Sequence, residues 1–386
     1  MRILKFILLL LLLTIGFVHW LLPGIVEQDY NKVLAHKPYK IRPEVLEFHN
    51  SLFIADLHSD SLLWKRNLSK HSHTGHVDLP RLEQGNVALQ VFSAVTKSPK
   101  GQNNARNTGD TDNITLLTVL SLWPARTWDS LYERAQYQLT KLKKLQKKNN
   151  ETLHFITNKQ NFATFIEARQ KSNQHKAVLF LLEGAHPFEG KISNLDELFD
   201  DGLRIAGLTH FFDNELGGSL HGVSNAGLTQ FGREVITRSN ELGLIIDIAH
   251  ASEQMVRDVL EQSTAPMILS HGGMQGSCDT NRNLPDGLMQ EFAAKGGLIG
   301  IGYWHSAVCD VSPAGIVKSI RYAVNLLGIE HVALGSDFDG SVITPFDTSE
   351  LAIITQTMLD QGFTKNEVKM VMGENVKRFL LDNLPD

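Results

Sequence analysis

His58 and Asp60 stand two residues apart, directly after the apolar run Leu52-Phe53-Ile54-Ala55. In a strand, side chains at i and i+2 share a face, so this imidazole and carboxylate can address one cation together. Such a pair is a half-site for a hard-to-borderline divalent metal. Three later apolar runs each end in another possible ligand. Glu183 closes Val178-Leu-Phe-Leu-Leu, His250 follows Leu244-Ile-Ile-Asp-Ile-Ala, and His271 follows Met267-Ile-Leu-Ser. A carboxylate at the end of an apolar strand is costly unless it is paired or ligates a cation. Taken singly, each residue also reads as a cap, an ion-pair member or a hydrogen-bonded core imidazole. Four ligand-bearing strand ends in one chain point instead to a shared metal site.

The elements that must bring these residues together are short β-rich runs separated by longer amphipathic stretches. The expected strands are Leu52–Leu57, Val87–Phe92, Val178–Glu183, Arg204–Thr209, Leu244–Ile248, Met267–Ser270, Leu298–Tyr303 and Val332–Ser336. Alternation with helical patterns indicates βαβ units and a parallel sheet. Eight such strands favour an α/β fold of the closed (β/α)8, TIM-type barrel, whose active site lies at the C-terminal strand ends. The proposed ligands all fall there. The spacing predicts a helix over Phe231–Leu242 and an N-cap at Ser252, and a helical insertion over residues 115–149 broken at Pro124. Lys100 to Asn113 reads as a mobile polar loop near the barrel mouth.

With 386 residues, 42% of them hydrophobic, the chain is long enough for one such barrel. A net charge of −5 leaves no electrostatic footprint for nucleic acid. Cys278 and Cys309 allow one bridge or two free thiols. Residues 1–22, with Arg2 and Lys5 ahead of a Leu-rich run, read as an N-terminal signal anchor or a signal peptide. Without a clear small-x-small cleavage site, the anchor is favoured. Residues 23–50 read as a linker or packing arm, and 51–386 as the catalytic barrel. The barrel is expected to be exported and membrane-anchored outside the cytoplasm. The sequence leaves a homodimer open.

The ordered motifs Asp56-Leu-His-Ser-Asp60, Leu182-Glu-Gly184, Leu208-Thr-His210, Asp247-Ile-Ala-His250, Leu269-Ser-His271, Arg282-Asn-Leu-Pro-Asp286 and Gly335-Ser-Asp-Phe-Asp-Gly340 resemble those of membrane (renal-type) dipeptidases, peptidase family M19 of the amidohydrolase superfamily. The resemblance runs from about Leu52 to Leu380. It implies a dipeptide substrate and two Zn2+ ions, one held by His58 and Asp60, the other by His250 and His271, with Glu183 bridging. It implies that His210 contacts the substrate carbonyl and oxyanion, that Arg282 pairs with the substrate carboxylate, and that Asp337 moves protons to the leaving amine. His-x-Asp in place of His-x-His, with Glu183 in place of a carbamylated lysine, matches dipeptidases within the superfamily.

The chemistry is coherent without the family. Paired divalent ions lower the pKa of a bridging water, and the resulting hydroxide can attack a polarised carbonyl. A group facing the developing oxyanion and an acid for the departing nitrogen complete the reaction. Arginine's planar fork suits a free carboxylate, although Arg282 could instead form a salt bridge with Asp286 or Asp279. Asp56 is expected behind the ligands, orienting one of them, and Asp339 to shape the turn after the last strand. His71, His73 and His76 read as loop histidines. Two rivals stand beside the zinc dipeptidase. One is the same centre acting on D-configured dipeptides, N-acyl amino acids or β-lactams; the other is a non-catalytic surface binding protein.

Overall fold

The computed structural model describes residues 2–386. Eight parallel strands close into a barrel, numbered here β1 (Ile54–Asp56), β2 (Val87–Val95), β3 (Lys176–Glu183), β4 (Leu203–Gly207), β5 (Ile245–Asp247), β6 (Ile268–Gly272), β7 (Leu298–Ile301) and β8 (Val332–Leu334). Closure is between β8 and β1, where Leu334 lies opposite Asp56. All eight expected runs form strands. One that the sequence did not announce, Leu153–Phe155, pairs with Lys176–Val178 at the start of β3.

The pleat decides which residues reach the barrel interior. Along β3, Leu179 and Leu181 join one apolar cluster with Leu89, Val91, Ile205 and Ile268, whereas Phe180 and Leu182 pack with the surrounding helices. Continuing that alternation by two residues carries Glu183 to the interior face at the rim, opposite Val95 of β2. Val376, Phe379 and Leu380 of the C-terminal helix belong to the interior cluster.

Helices Gln230–Leu242 and Glu253–Gln262 form where the periodicity places them, and Ser252 accepts a hydrogen bond from the Met255 amide at 3.0 Å. The insertion after β2 divides into helices Asn113–Leu120 and Leu131–Lys148 on either side of Pro124. At the amino end, helix Arg2–Gly16 runs through a π-turn at Phe17–Leu21 into helix Leu22–Tyr30. Among the described residues, no helix is long and apolar enough to cross a membrane. Lys32–Val33 then pairs in parallel with Ile343–Thr344 beyond β8, and helix Pro43–Asn50 leads into β1.

Candidate metal centre

Strand ends converge the expected ligands on one point inside the C-terminal rim. The Glu183 carboxylate lies 3.2 Å from His250 Nε2, 3.4 Å from His271 Nε2, 3.7 Å from His58 Nε2 and 3.5 Å from His210 Nε2. Asp60 approaches His58 Nε2 at 3.4 Å, and Asp337 approaches the same nitrogen at 3.9 Å. All are buried. Two overlapping triads could each hold an ion: His58, Asp60 and Glu183 on one side, and Glu183, His250 and His271 on the other. A third combination replaces them with Asp247 beside His58 and His271. Its oxygens, however, are already used by the Ser270 amide and hydroxyl and the Ala249 amide.

That use of Asp247 explains how the ligands are aimed, and the sequence reading gave neither it nor Ser270 a role. The Ser270 hydroxyl donates to Asp247 at 2.6 Å and faces Nδ1 of both His271, at 2.9 Å, and His58, at 3.1 Å. Occupying both Nδ1 atoms turns both Nε2 atoms toward the centre, the usual role of partners behind a metal-binding imidazole. Ser93 donates to Asp60 in the same way. A strand-end serine beside a histidine is too common a pattern to be singled out from sequence. Asp56 differs from expectation: it accepts from the Ser336 amide and hydroxyl and from the His58 amide, so it ties β8 to β1 and leaves the imidazole alone.

Three residues at the site carry backbone strain. His250, Asp337 and Asp339 all have φ near +60° (63°, 58° and 66°), a region costly for residues other than glycine. Gly340 permits the last turn, because a Cβ there would overlap the Asp337 carboxylate.

The electrostatics are out of balance without a cation. Burial, reinforced by Asp60 and Asp337, pushes the Glu183 carboxyl well above the usual range. Burial likewise raises Asp337. For His58, burial acts to lower the pKa, but Glu183, Asp60 and Asp337 outweigh it and lift it to about 10. His250 and His271 are driven well down, first by burial and then by nearby positive charge. His58 Nε2 and Glu183 Oε2 are buried with no hydrogen-bond partner. Buried polar atoms are seldom left so, and each costs on the order of 1–3 kcal/mol. Imidazole nitrogens and carboxylate oxygens converging in this way fit divalent cations.

The remaining expected residues line the same cavity of ≈ 260 Å³. Arg282 makes no pair with Asp286 or Asp279. Its Nη2 donates to the His271 carbonyl at 2.7 Å, and the guanidinium lies 5.4 Å from the Trp304 ring. Asp286 instead serves the Gly276 amide and the Tyr322 hydroxyl. His210 is held down to about 4, chiefly by burial, with Nδ1 at 3.3 Å from the Lys97 carbonyl. Cys278 and Cys309 form a disulfide that closes the loop carrying Arg282 and Trp304. The polar segment 100–113 is pinned rather than loose. Asn104 donates to Ser306 at 2.8 Å, and the Asn107 amide donates to the His221 carbonyl at 2.8 Å. His76 is fully buried against Asp339, 3.3 Å away, unlike an exposed loop histidine. Asp339 itself does more than shape a turn, since Arg66 and Ser61 also bind its carboxylate.

Residues 42–382 match the profile of membrane dipeptidase (peptidase family M19). The chain belongs to this family. It is 27% identical to dipeptidase aclJ of Aspergillus oryzae over 354 residues, which cover 85% of this chain and 78% of that protein. An uncharacterized dipeptidase of Schizosaccharomyces pombe is 26% identical over 397 residues, covering 98% of this chain and 89% of that one. The fold is shared with a probable dipeptidase, PvdM, from Pseudomonas aeruginosa (TM-score 0.74, 18% identity, covering 88% of this chain and 97% of that one). It is also shared with a Rhodobacter sphaeroides metallopeptidase bound to a phosphinate mimic of the dipeptide L-Ala-D-Ala (TM-score 0.69, 20% identity, 86% and 99% covered). The protein is a metallo-dipeptidase, a hydrolase of peptide bonds.

Proposed function

We propose that the centre holds two zinc ions, one by His58 and Asp60, the other by His250 and His271, with Glu183 shared between them. The observation that carries this reading is the single buried carboxylate of Glu183 within 3.7 Å of four imidazole nitrogens, with its second oxygen unpartnered. Such a pair of ions, when bound, supplies an activated hydroxide at neutral pH and polarises the scissile carbonyl.

The chain's own groups then divide the work. Arg282, buried and fixed by the His271 carbonyl, receives the free carboxylate of the dipeptide and sets its register. Asp337, whose pKa burial raises, is the acid that delivers a proton to the departing nitrogen. His210 faces the carbonyl oxygen where negative charge develops. Its hydrogen bond to Lys97 places the single proton of a neutral ring on Nδ1. Donation from Nε2 therefore needs the other tautomer or a second proton, and the Lys97 contact is given up or the ring becomes charged. Exclusion of water falls to Trp304 and the pinned loop 100–113, both at the cavity.

The substrate is a small dipeptide with free ends. The mimic of L-Ala-D-Ala held by the Rhodobacter relative favours, as a second reading, a dipeptide with a D-residue at its carboxyl end. We further place the barrel outside the cytoplasm, attached to a membrane by the apolar amino-terminal segment. Phe6 and Trp20 in that segment are 65% and 71% exposed, and the Cys278–Cys309 bridge suits an oxidising compartment.

A panel of L-L, L-D, N-acylated and C-amidated dipeptides tests the substrate assignment. Hydrolysis is expected only where the carboxylate is free, with amidation costing about 10²-fold or more in kcat/KM. Equal hydrolysis of amidated and free substrates would remove Arg282 from its role.

A further inference from the structure

The amino-terminal arm precedes the part of the chain that the family profile matches, which starts at residue 42. It is nevertheless fastened to the loops that flank the catalytic cavity. The His19 carbonyl accepts from Lys65 at 2.6 Å, and His19 Nδ1 meets the Leu120 carbonyl at 3.1 Å. In helix Leu22–Tyr30, Val26 packs on an apolar cluster of Leu63, Trp64, Val95, Ile114 and Trp123. Leu63, Val95 and Ile114 of that cluster also line the cavity, together with Val342. Glu27, only 2% exposed, accepts from Arg66 Nε at 2.5 Å, and Arg66 in turn binds Asp339, two residues beyond Asp337. Asn31, also buried, accepts from the Ser341 amide at 2.8 Å, and the Leu34 amide donates to the Thr344 carbonyl at 2.8 Å.

The arm thus braces two loops from behind: the one after β1, which carries Leu63 and Arg66, and the one after β8, which carries Asp337 to Val342. Part of the apolar lining of the cavity, Leu63 and Val342, comes from these two loops. We propose that the arm is an outer layer of the substrate-recognition wall, with Glu27 and Asn31 as positioning residues that fix the width of a subsite for an apolar dipeptide side chain. The proposal rests on the dipeptide occupying this cavity. Glu27 acts through Arg66 and Asp339, and Asn31 through Ser341, so neither touches the substrate. Loosening them lets the two loops part, which weakens binding of a side chain that fits between them and leaves the metal ligands in place.

The test uses the full chain in detergent micelles, with dipeptides whose side chains run from Gly and Ala to Leu and Phe. Glu27→Ala and Asn31→Ala are each expected to raise KM for the preferred apolar dipeptide about tenfold while kcat, zinc content and the KM for the glycine substrate stay within about twofold, flattening the preference. Glu27→Gln, which can still accept from Arg66, is expected to recover most of the preference. Asp29→Ala, on the exposed face of the same helix, is the control and should change nothing. Should Glu27→Ala fail to accumulate, Asn31→Ala is read alone, since it removes one hydrogen bond at a loop amide. An unchanged preference with only a lower melting temperature would make the arm a tether and overturn the proposal, as would loss of zinc or of kcat alone. Wild-type enzyme that hydrolyses none of the dipeptides would instead count against the substrate assignment.

Discussion

The two ends of the barrel bury polar groups in opposite ways. At the floor, below the start of β2, His49 Nδ1 meets the Thr355 hydroxyl at 2.8 Å and Nε2 meets the Gly85 carbonyl at 3.2 Å. Asn86 donates to the His49 and Leu52 carbonyls, and its own side-chain oxygen accepts from Arg169 at 2.6 Å. At the rim, His58 Nε2 and Glu183 Oε2 have no partner, and carboxylates crowd together at buried positions. The same physical rule governs both, because a buried polar group must be satisfied. Around His49 and Asn86 the floor satisfies these groups with protein and gains stability. The rim leaves its groups to be satisfied by something that binds, and gives up stability for function.

The largest effect should come from removing the shared carboxylate. Glu183→Gln is expected to lower kcat/KM on the order of 10³-fold or more, with loss of bound metal. The metal-free variant should melt no lower than metal-free wild type, and by a few degrees higher, because a buried acidic group crowded by Asp60 and Asp337 is gone. A falling melting temperature would place Glu183 with the floor residues. Next, Asp337→Asn should reduce kcat by roughly 10²–10⁴-fold while zinc content and KM change little, since it removes a proton donor and no first ligand. Loss of zinc in that variant would make Asp337 a ligand instead.

The smallest effect sharpens the floor side of the contrast. Burial holds the His49 pKa down to about 4, against about 6.5 when unfolded. Below pH 6.5 the unfolded chain binds a proton there that the folded chain refuses. The His49 contribution is therefore complete above pH 6.5 and is lost as the pH falls toward 4, amounting to roughly 3 kcal/mol. Urea unfolding between pH 7 and pH 4 should show a steeper loss of stability for wild type than for His49→Gln, with kcat at pH 7 equal in both. Parallel slopes would deny His49 this role.

Much of this division was legible in the sequence, and the reason is local. A metal ligand at a strand end carries two signals, an unusual residue type and its place after an apolar run, so His58, Asp60, Glu183, His250 and His271 stand out as a set although each alone has an ordinary reading. The residues that hold them do not. Ser270 and Asp247 are ordinary strand-end residues until the fold sets their hydroxyl and carboxylate behind two imidazoles. Asp56 reads as a group behind the ligands, and it does hold the His58 amide, but its closest partner, Ser336, is 280 positions away and no local pattern names it. The buried Glu27–Arg66–Asp339–His76 network was invisible for the same reason: each charge looks like surface until distant segments close over it. The loop 100–113 reads as mobile by composition, and it is fixed by residues distant in sequence: Ser306 after β7, His221 after β4 and Arg134 of helix Leu131–Lys148, which binds Asp112.

Uptake of metal at the rim is the most direct test of this centre. Chelator-treated full-length protein, titrated with Zn2+ by calorimetry while dipeptide hydrolysis is followed, should bind two ions per chain, with activity rising as the sites fill. Binding of no ion, or hydrolysis that persists undiminished after chelation, would contradict it.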